Sequence, residues 1–209
     1  MHMSTGKRYA MVMDLDLCVG CRGCEVACRQ EHDLKPRLGE TIDIRTRPIP
    51  NYTQVITVGP QGQFPDLDMW YVPRLCNHCT DAPCVAMCPT GAMTVREDGI
   101  VCINHEKCIS CLHCLHACPF QAIHYDKDDD VVGKCDFCEH LVDYGEEPAC
   151  VAVCMTRCRI FGDLNDPQSE VSRLLVAHGP SLMPLPLPWG SSARPNVFYL
   201  RKKKAHAAC

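Results

Sequence analysis

The sequence predicts an α+β protein of two interlocked modules, with a β insertion and an extended C-terminal arm. Sixteen of its nineteen cysteines fall in four groups of four: Cys18, Cys21, Cys24 and Cys28; Cys76, Cys79, Cys84 and Cys88; Cys108, Cys111, Cys114 and Cys118; and Cys135, Cys138, Cys150 and Cys154. Short β-rich runs punctuated by Gly and Pro lie between these groups. The middle two groups are contiguous, so the chain folds back on itself and nests one module inside the other, which implies duplication of one unit. The expected boundaries are residues 1–72 plus 128–165 for the outer module, 73–127 for the central one, and 166–209 for a helix and arm, with the insertion over about 33–72.

Nineteen cysteines in 209 residues point either to a disulfide scaffold or to a metal protein. The tight x2 clusters and the length favour reduced thiolates on metal. Asp14 and Asp16 interrupt the N-terminal stretch where a secretory h-region would run, and no run of eighteen apolar residues exists. A net charge of −4 provides no basic field, so no nucleic acid is expected. No P-loop, dinucleotide turn or nucleophile–base pair is present, and catalytic residues are therefore expected to be none.

Taken in order, residues 8–18 alternate apolar and polar side chains, with Tyr9, Met11, Met13 and Leu15 in step, and read as a strand entering the first cysteine group. Gly20 and Gly23 leave room for close backbone approach, and EVACRQEH after them has helical propensity. TIDIRTRPIP, TQVITVGPQG and LDMWYVPR are the three β-rich runs of the insertion, where Trp70 and Tyr71 read as packing residues. Residues 98–108 read as a turn and a strand, and 122–130 as a strand ending in a solvated acidic loop at Asp128, Asp129 and Asp130. RIFGDLND is a strand into a turn, and PQSEVSRLLVAHG a helix with Pro at its start and Gly at its stop. The proline-rich stretch that follows, with Trp189, Phe198 and Tyr199 as apolar anchors, reads as an arm laid over a neighbouring subunit, ahead of a basic tail.

The group Cys108, Cys111, Cys114, Cys118, followed by Pro119, has the spacing of bacterial ferredoxins, and the Cys76 group differs only by two added residues in its middle gap. In two-cluster ferredoxins the fourth cysteine ligates the other cluster. That resemblance implies that Cys76, Cys79, Cys84 and Cys118 hold one [4Fe–4S] cluster and Cys88, Cys108, Cys111 and Cys114 its neighbour. The Cys135 group alone also suits zinc. Pairing it crosswise with the first group assigns Cys18, Cys21, Cys24 and Cys154 to one further cluster, and Cys28, Cys135, Cys138 and Cys150 to another.

CVGCRGCEVAC, CNHCTDAPCVAMCPTGA, KCISCLHCLHACP and RIFGDLNDPQSEVSRLL together resemble the iron–sulfur subunits of molybdopterin oxidoreductases of the DMSO reductase type, over nearly the whole chain. The resemblance implies an electron-transfer subunit for anaerobic respiration. Four [4Fe–4S] clusters would connect a molybdopterin catalytic subunit with a membrane quinone or cytochrome subunit. It also implies a peripheral place in a membrane-associated complex, on the periplasmic face through co-export with a partner bearing a twin-arginine signal; the cytoplasmic face is the alternative. The chain departs from relatives at CMTRCRIFGDL, where Met155 and Cys158 stand in a segment that often reads Pro-Thr-Gly-Ala.

Of the other cysteines, Cys102 reads as a small buried hydrophobe, Cys158, four residues beyond Cys154, as a thiol that could substitute as a ligand, and Cys209 as free. His78, His113 and His116 fall inside the cysteine loops and suit packing or hydrogen bonding to sulfur. Lys107 and Lys134 directly precede ligand cysteines and are either potential-raising charges or solvated ones. The rival readings are a ferredoxin-like subunit of a hydrogenase or formate dehydrogenase, and a zinc-binding interaction scaffold.

Overall fold

Cysteine loops interrupt the chain so often that its regular elements stay short. The structure is a computed structural model and describes residues 6–34, 51–127, 129–179, 182–183 and 193–201. The elements are β1 (Tyr9–Asp14), α1 (Gly23–Glu31), β2 (Thr53–Gln61), β3 (Asp68–Leu75), α2 (Pro83–Ala86), β4 (Met93–Val95), β5 (Val101–Ile103), α3 (His113–Ala117), β6 (Ile123–Asp126), β7 (Val131–Lys134), α4 (Glu139–Val142), α5 (Ala149–Ala152), β8 (Arg159–Asp163), α6 (Glu170–His178), β9 (Leu182–Met183) and β10 (Val197–Leu200). Small helices and small sheets thus share one fold, as an α+β reading requires.

The largest sheet has the strand order β8-β1-β10-β9. In it β1 runs antiparallel to β8, with Met13 opposite Arg159, and parallel to β10, with Met11 opposite Val197. The alternation along β1 predicts one wet face, but Ala10, Met11, Val12 and Met13 are all fully buried. Met11 and Met13 join the main core, while Ala10 and Val12 pack with Val171 of α6 and Leu200 of β10. A central strand covered on both sides has no need of a polar face.

The C-terminal segment departs from expectation. Residues 193–201 do not form an arm over a neighbour, because β10 lies inside this sheet with Val197, Tyr199 and Leu200 buried. Three apolar residues in four supply a core strand that the preceding prolines disguise. Trp189, Cys209 and most of the basic tail lie outside the described residues.

The insertion is a hairpin of β2 and β3, from Thr53 opposite Leu75 to Val58 opposite Trp70. Its TIDIRTRPIP run lies outside the described residues. The Arg201 guanidinium sits 3.5 Å over the Trp70 ring, which makes Trp70 a packing residue as read. Two shorter hairpins, β4 with β5 and β6 with β7, escape sequence reading in their first and second strands respectively, since three or four residues carry too little periodicity. Between β6 and β7, Asp129 and Asp130 are exposed, and Asp130 accepts from the Tyr125 hydroxyl at 2.8 Å, so this is a solvated turn. Helix α6 begins later than Pro167: Ser169 caps it, its Oγ accepting the Ser172 N–H at 3.1 Å.

Candidate metal centre

All four cysteine loops share one backbone device. The residue before the second cysteine is left-handed in each, namely Gly20 (φ 69), His78 (φ 42), Ser110 (φ 50) and Phe137 (φ 58). Three of these four carry a side chain at positive φ, which costs roughly 1–2 kcal/mol each. A second device follows the fourth cysteine. Gly91 (φ 65), Gln121 (φ 50) and Arg157 (φ 51) each lie three residues beyond Cys88, Cys118 and Cys154. The segment at Met155 and Cys158 therefore keeps the turn of the other two without their proline. At Gly20 the need for glycine is doubled, because a Cβ there would meet the Tyr71 ring at 2.5 Å.

These loops gather thiols from distant groups. A cavity of about 320 Å³ is lined by Cys76, Cys79, Cys84 and Cys118 together with Val101 and Ile123. A second, of about 340 Å³, is lined by Cys88, Cys108, Cys111 and Cys114 with Ala92. In both, the fourth cysteine of one group lies with the first three of the other. Helices α2 and α3, which carry Cys84 and Cys114, pack on one another, and α1 packs on α5 in the same way, bringing Cys24 and Cys28 toward Cys150.

Electrostatics describe the same neighbourhoods. Burial, then the charges of Cys76, Cys84 and Cys118, raise the Cys79 thiol. Burial raises Cys114, and Cys108 and Cys111 add to it. Burial with Cys150 and Cys138 raises Cys28. Cys135 is raised by burial, Cys28 and Cys150. Cys138 is pushed up to about 12 by burial and Cys150, against the Ala149 N–H. Cys18 is instead held down to about 6, chiefly by a hydrogen bond from the Cys158 thiol and also by Arg159. Burial works on Cys154 in the opposite direction, but Cys158, the Arg159 N–H and the Thr156 hydroxyl hold it down. Cys21 remains exposed on the first loop.

Three interactions cross between these neighbourhoods. Cys150 raises Cys24, Cys76 raises Cys135, and Cys114, with burial and Cys76 ahead of it, raises Cys84. The neighbourhoods of Cys24 and Cys150, Cys135 and Cys76, and Cys84 and Cys114 are thus close enough to influence one another.

The donor set suits a metal cluster. Crowded thiols resist ionisation when only protein surrounds them, and a polycationic iron core would relieve that repulsion. Buried donors left without a protein partner point the same way: Nε and Nη1 of Arg159 and Nε2 of His78. Arg159 is 2% exposed, and its Nη2 donates to Cys24 Sγ at 3.2 Å and to Thr53 Oγ1 at 2.7 Å. Burial works against that charge, but the thiolates of Cys150, Cys24 and Cys158 hold the Arg159 pKa above its usual value.

Several expectations are refined by contact. Lys134 is buried and donates from Nζ to the carbonyls of Val101 and Cys135, the latter at 2.9 Å, whereas Lys107 is exposed. His78 is fully buried and accepts the Val101 N–H at Nδ1, while His113 and His116 lie at the surface. Cys102 is more than a small hydrophobe: it donates to Glu139 Oε2 at 2.8 Å. His32, Asp136 and Cys138 bring three potential ligand atoms within 4.8 Å, and Cys138 lies in the field of Cys28 and Cys150 as well. Sequence reasoning missed Arg159 and Asn196. The adjacency of Arg159 to Cys158 was the one available signal.

Comparison with known proteins accords with these observations. Residues 67–164 match the family model described as a 4Fe-4S dicluster domain. The chain is 34% identical to the arsenate respiratory reductase iron-sulfur subunit of a Shewanella species, over 93% of this chain and 96% of that one. It is 37% identical to a polysulfide reductase polypeptide of Wolinella succinogenes, over 95% of this chain and 96% of that polypeptide. With a tetrathionate reductase subunit of Salmonella typhimurium the identity is 38%, over 92% of this chain and 72% of that subunit. Lengthwise agreement with these proteins, together with cysteine loops gathered round shared cavities, shows that the chain belongs to the family of iron–sulfur subunits of reductases.

Proposed function

We propose that the chain is the electron-transfer subunit of a reductase complex and holds four [4Fe–4S] clusters in a row. Cys18, Cys21, Cys24 and Cys154 hold the first; Cys28, Cys135, Cys138 and Cys150 the second; Cys76, Cys79, Cys84 and Cys118 the third; and Cys88, Cys108, Cys111 and Cys114 the fourth. The observation carrying this reading is that two cavities each gather the fourth cysteine of one group with the first three of another. Mutual influence of Cys24 with Cys150, Cys135 with Cys76, and Cys84 with Cys114 supports a row. Two interlocked ferredoxin-like modules explain why each set is built from sequence-distant groups.

When bound, the clusters supply one-electron oxidation and reduction. The protein fixes their spacing, because each fourth cysteine ties one loop to the cavity of another. Phe137, Val101 and Ile123 keep the middle of the row dry, and low local dielectric strengthens the influence of Arg159 and Lys134. The chain has no substrate chemistry of its own. Its relatives' names place them in reductases of arsenate, polysulfide and tetrathionate. A molybdopterin catalytic subunit at one end of the row and a membrane quinone or cytochrome subunit at the other complete the path. Among the described residues no helix is long and apolar enough to cross a membrane, so attachment falls to the partner. The periplasmic face, reached by co-export of the folded chain, is the proposed side.

Metal and sulfide analysis of the anaerobically purified chain tests the reading. About sixteen irons and as much acid-labile sulfide per chain are expected from four Cys₄ cubanes. Zinc without sulfide, or iron near four, overturns it.

A further inference from the structure

Four residues past the last cysteine of a group, the chain returns to that cysteine's sulfur. In the two central groups this position is alanine. Ala122 directs its N–H at Cys118 Sγ, 3.5 Å away, and Ala92 lines the cavity shared by Cys88, Cys108, Cys111 and Cys114. The same left-handed turn precedes each, at Gln121 and Gly91. In the last group the turn is kept at Arg157, and the returning residue is Cys158. A thiol therefore stands where its two counterparts carry only a methyl group beside the last cysteine of their loops.

The contacts of that thiol are unusual for a packing residue. Cys158 is 4% exposed, its Sγ lies 3.5 Å from Cys154 Sγ, and Cys18, which it holds down, is its other thiol neighbour. A buried cysteine serving as a small hydrophobe packs its sulfur against carbon. Here the sulfur faces two thiols, one from each of the groups that build the first cluster site. Two sulfurs in van der Waals contact address one corner of a cluster rather than two.

We propose that Cys158 is a second ligand thiol of the cluster held by Cys18, Cys21 and Cys24, able to occupy the corner assigned to Cys154. This rests on the ligand reading above. In the exchange the Cys154–iron bond breaks as the Cys158–iron bond forms. The proton leaving the Cys158 thiol goes to the freed Cys154 thiolate, and no electron is gained or lost. Such a reserve ligand lets the outermost, partly exposed cluster survive loss or oxidation of one thiol.

The test uses the full chain, purified anaerobically as Cys154→Ala, Cys154→Ser, Cys158→Ala and Cys154→Ala/Cys158→Ala, with iron and sulfide counts and EPR before and after reduction. Cys158→Ala restores the alanine of the central loops and is expected to keep every iron. Either single variant at 154 is expected to keep the wild-type iron content and show no three-iron signal. The double variant is expected to show that signal or to lose up to about a quarter of the iron. The proposal is overturned if both variants at 154 already match the double variant, or if Cys158→Ala alone loses the cluster. Cys18→Ala separates the two readings: if it leaves the iron count and EPR untouched, the ligand assignment fails, not the exchange.

Discussion

The imidazole of His78 lies face to face on the ring of Phe137, with centroids 3.6 Å apart and planes within 19°. Each is the left-handed residue of its own cysteine loop, one between Cys76 and Cys79, the other between Cys135 and Cys138. The stack therefore joins the loop of Cys76 and Cys79 to that of Cys135 and Cys138, and neither ring has solvent contact to spare. Phe137→Ala should cost about 3–5 kcal/mol, in the range of buried Phe deletions. It should also broaden the EPR of the two middle clusters while leaving the fourth unchanged. Thermal melts under anaerobic conditions and EPR of the reduced chain check this. A melting point within two degrees of wild type would mean that the stack carries no strength.

Arg159 puts a buried cation beside Cys24 and within the field of Cys150. Positive charge favours the more negative, reduced state of a cluster, so its removal lowers the potential. Arg159→Met is expected to lower the potentials of the first two clusters by on the order of 100 mV, from a Coulomb energy of a few kcal/mol at an effective dielectric near 20. The third and fourth should move far less. EPR-monitored redox titration decides it, and a uniform shift of all four would count against a local charge effect.

His124 offers a pH test away from any cysteine loop. Burial, then the Arg74 charge, lower its pKa, so the folded chain refuses a proton that the unfolded chain accepts. An unfolded histidine titrates near about 6.5. Stability present above that pH is therefore lost as pH falls toward the depressed folded value, with a limiting slope of about 1.4 kcal/mol per unit. His124→Gln removes this contribution. Denaturant melts at pH 7.5 and 5.5, taken anaerobically, should show the wild type losing more stability than the variant on acidification. Parallel losses in both proteins would refute the assignment.

The spacing of Cys76, Cys79, Cys84 and Cys88 against Cys108, Cys111, Cys114 and Cys118 was legible because ligand geometry is local: three thiols on one loop must recur at x2 intervals whatever the rest of the chain does. β1, α1, β8 and α6 were legible for a similar reason, being long enough to show a period or a cap. Tyr199 was not. It sits in a strand whose partner β1 lies nearly two hundred residues earlier, and its proline-rich approach mimics a linker. Arg159 was passed over in sequence, and Cys158 was read only against Cys154, since the fold alone brings them to Cys24 and Cys18. Long-range placement, not local propensity, is what the one-dimensional reading lacked.

That placement makes Asn196 the residue through which the C-terminal segment reaches the loop carrying Cys76 and Cys79. Its Nδ2 donates to the His78 carbonyl at 2.6 Å, its N–H to the Asn77 carbonyl at 2.8 Å, and its Oδ1 accepts from Arg8 at 3.0 Å. Nearby, the Thr80 N–H donates to the Arg194 carbonyl at 2.8 Å, so residues 193–201 clamp the loop carrying Cys76 and Cys79 from outside. Asn196→Ala leaves the buried His78 carbonyl without its donor, at about 1–3 kcal/mol, while the Arg8 guanidinium keeps the Thr80 hydroxyl. The expected result is a lower melting temperature of the isolated chain and selective loss of the third cluster, read from iron content and EPR. An arm whose purpose was to grip a neighbouring subunit would behave differently: the same substitution would leave the isolated chain intact and weaken only the assembled complex.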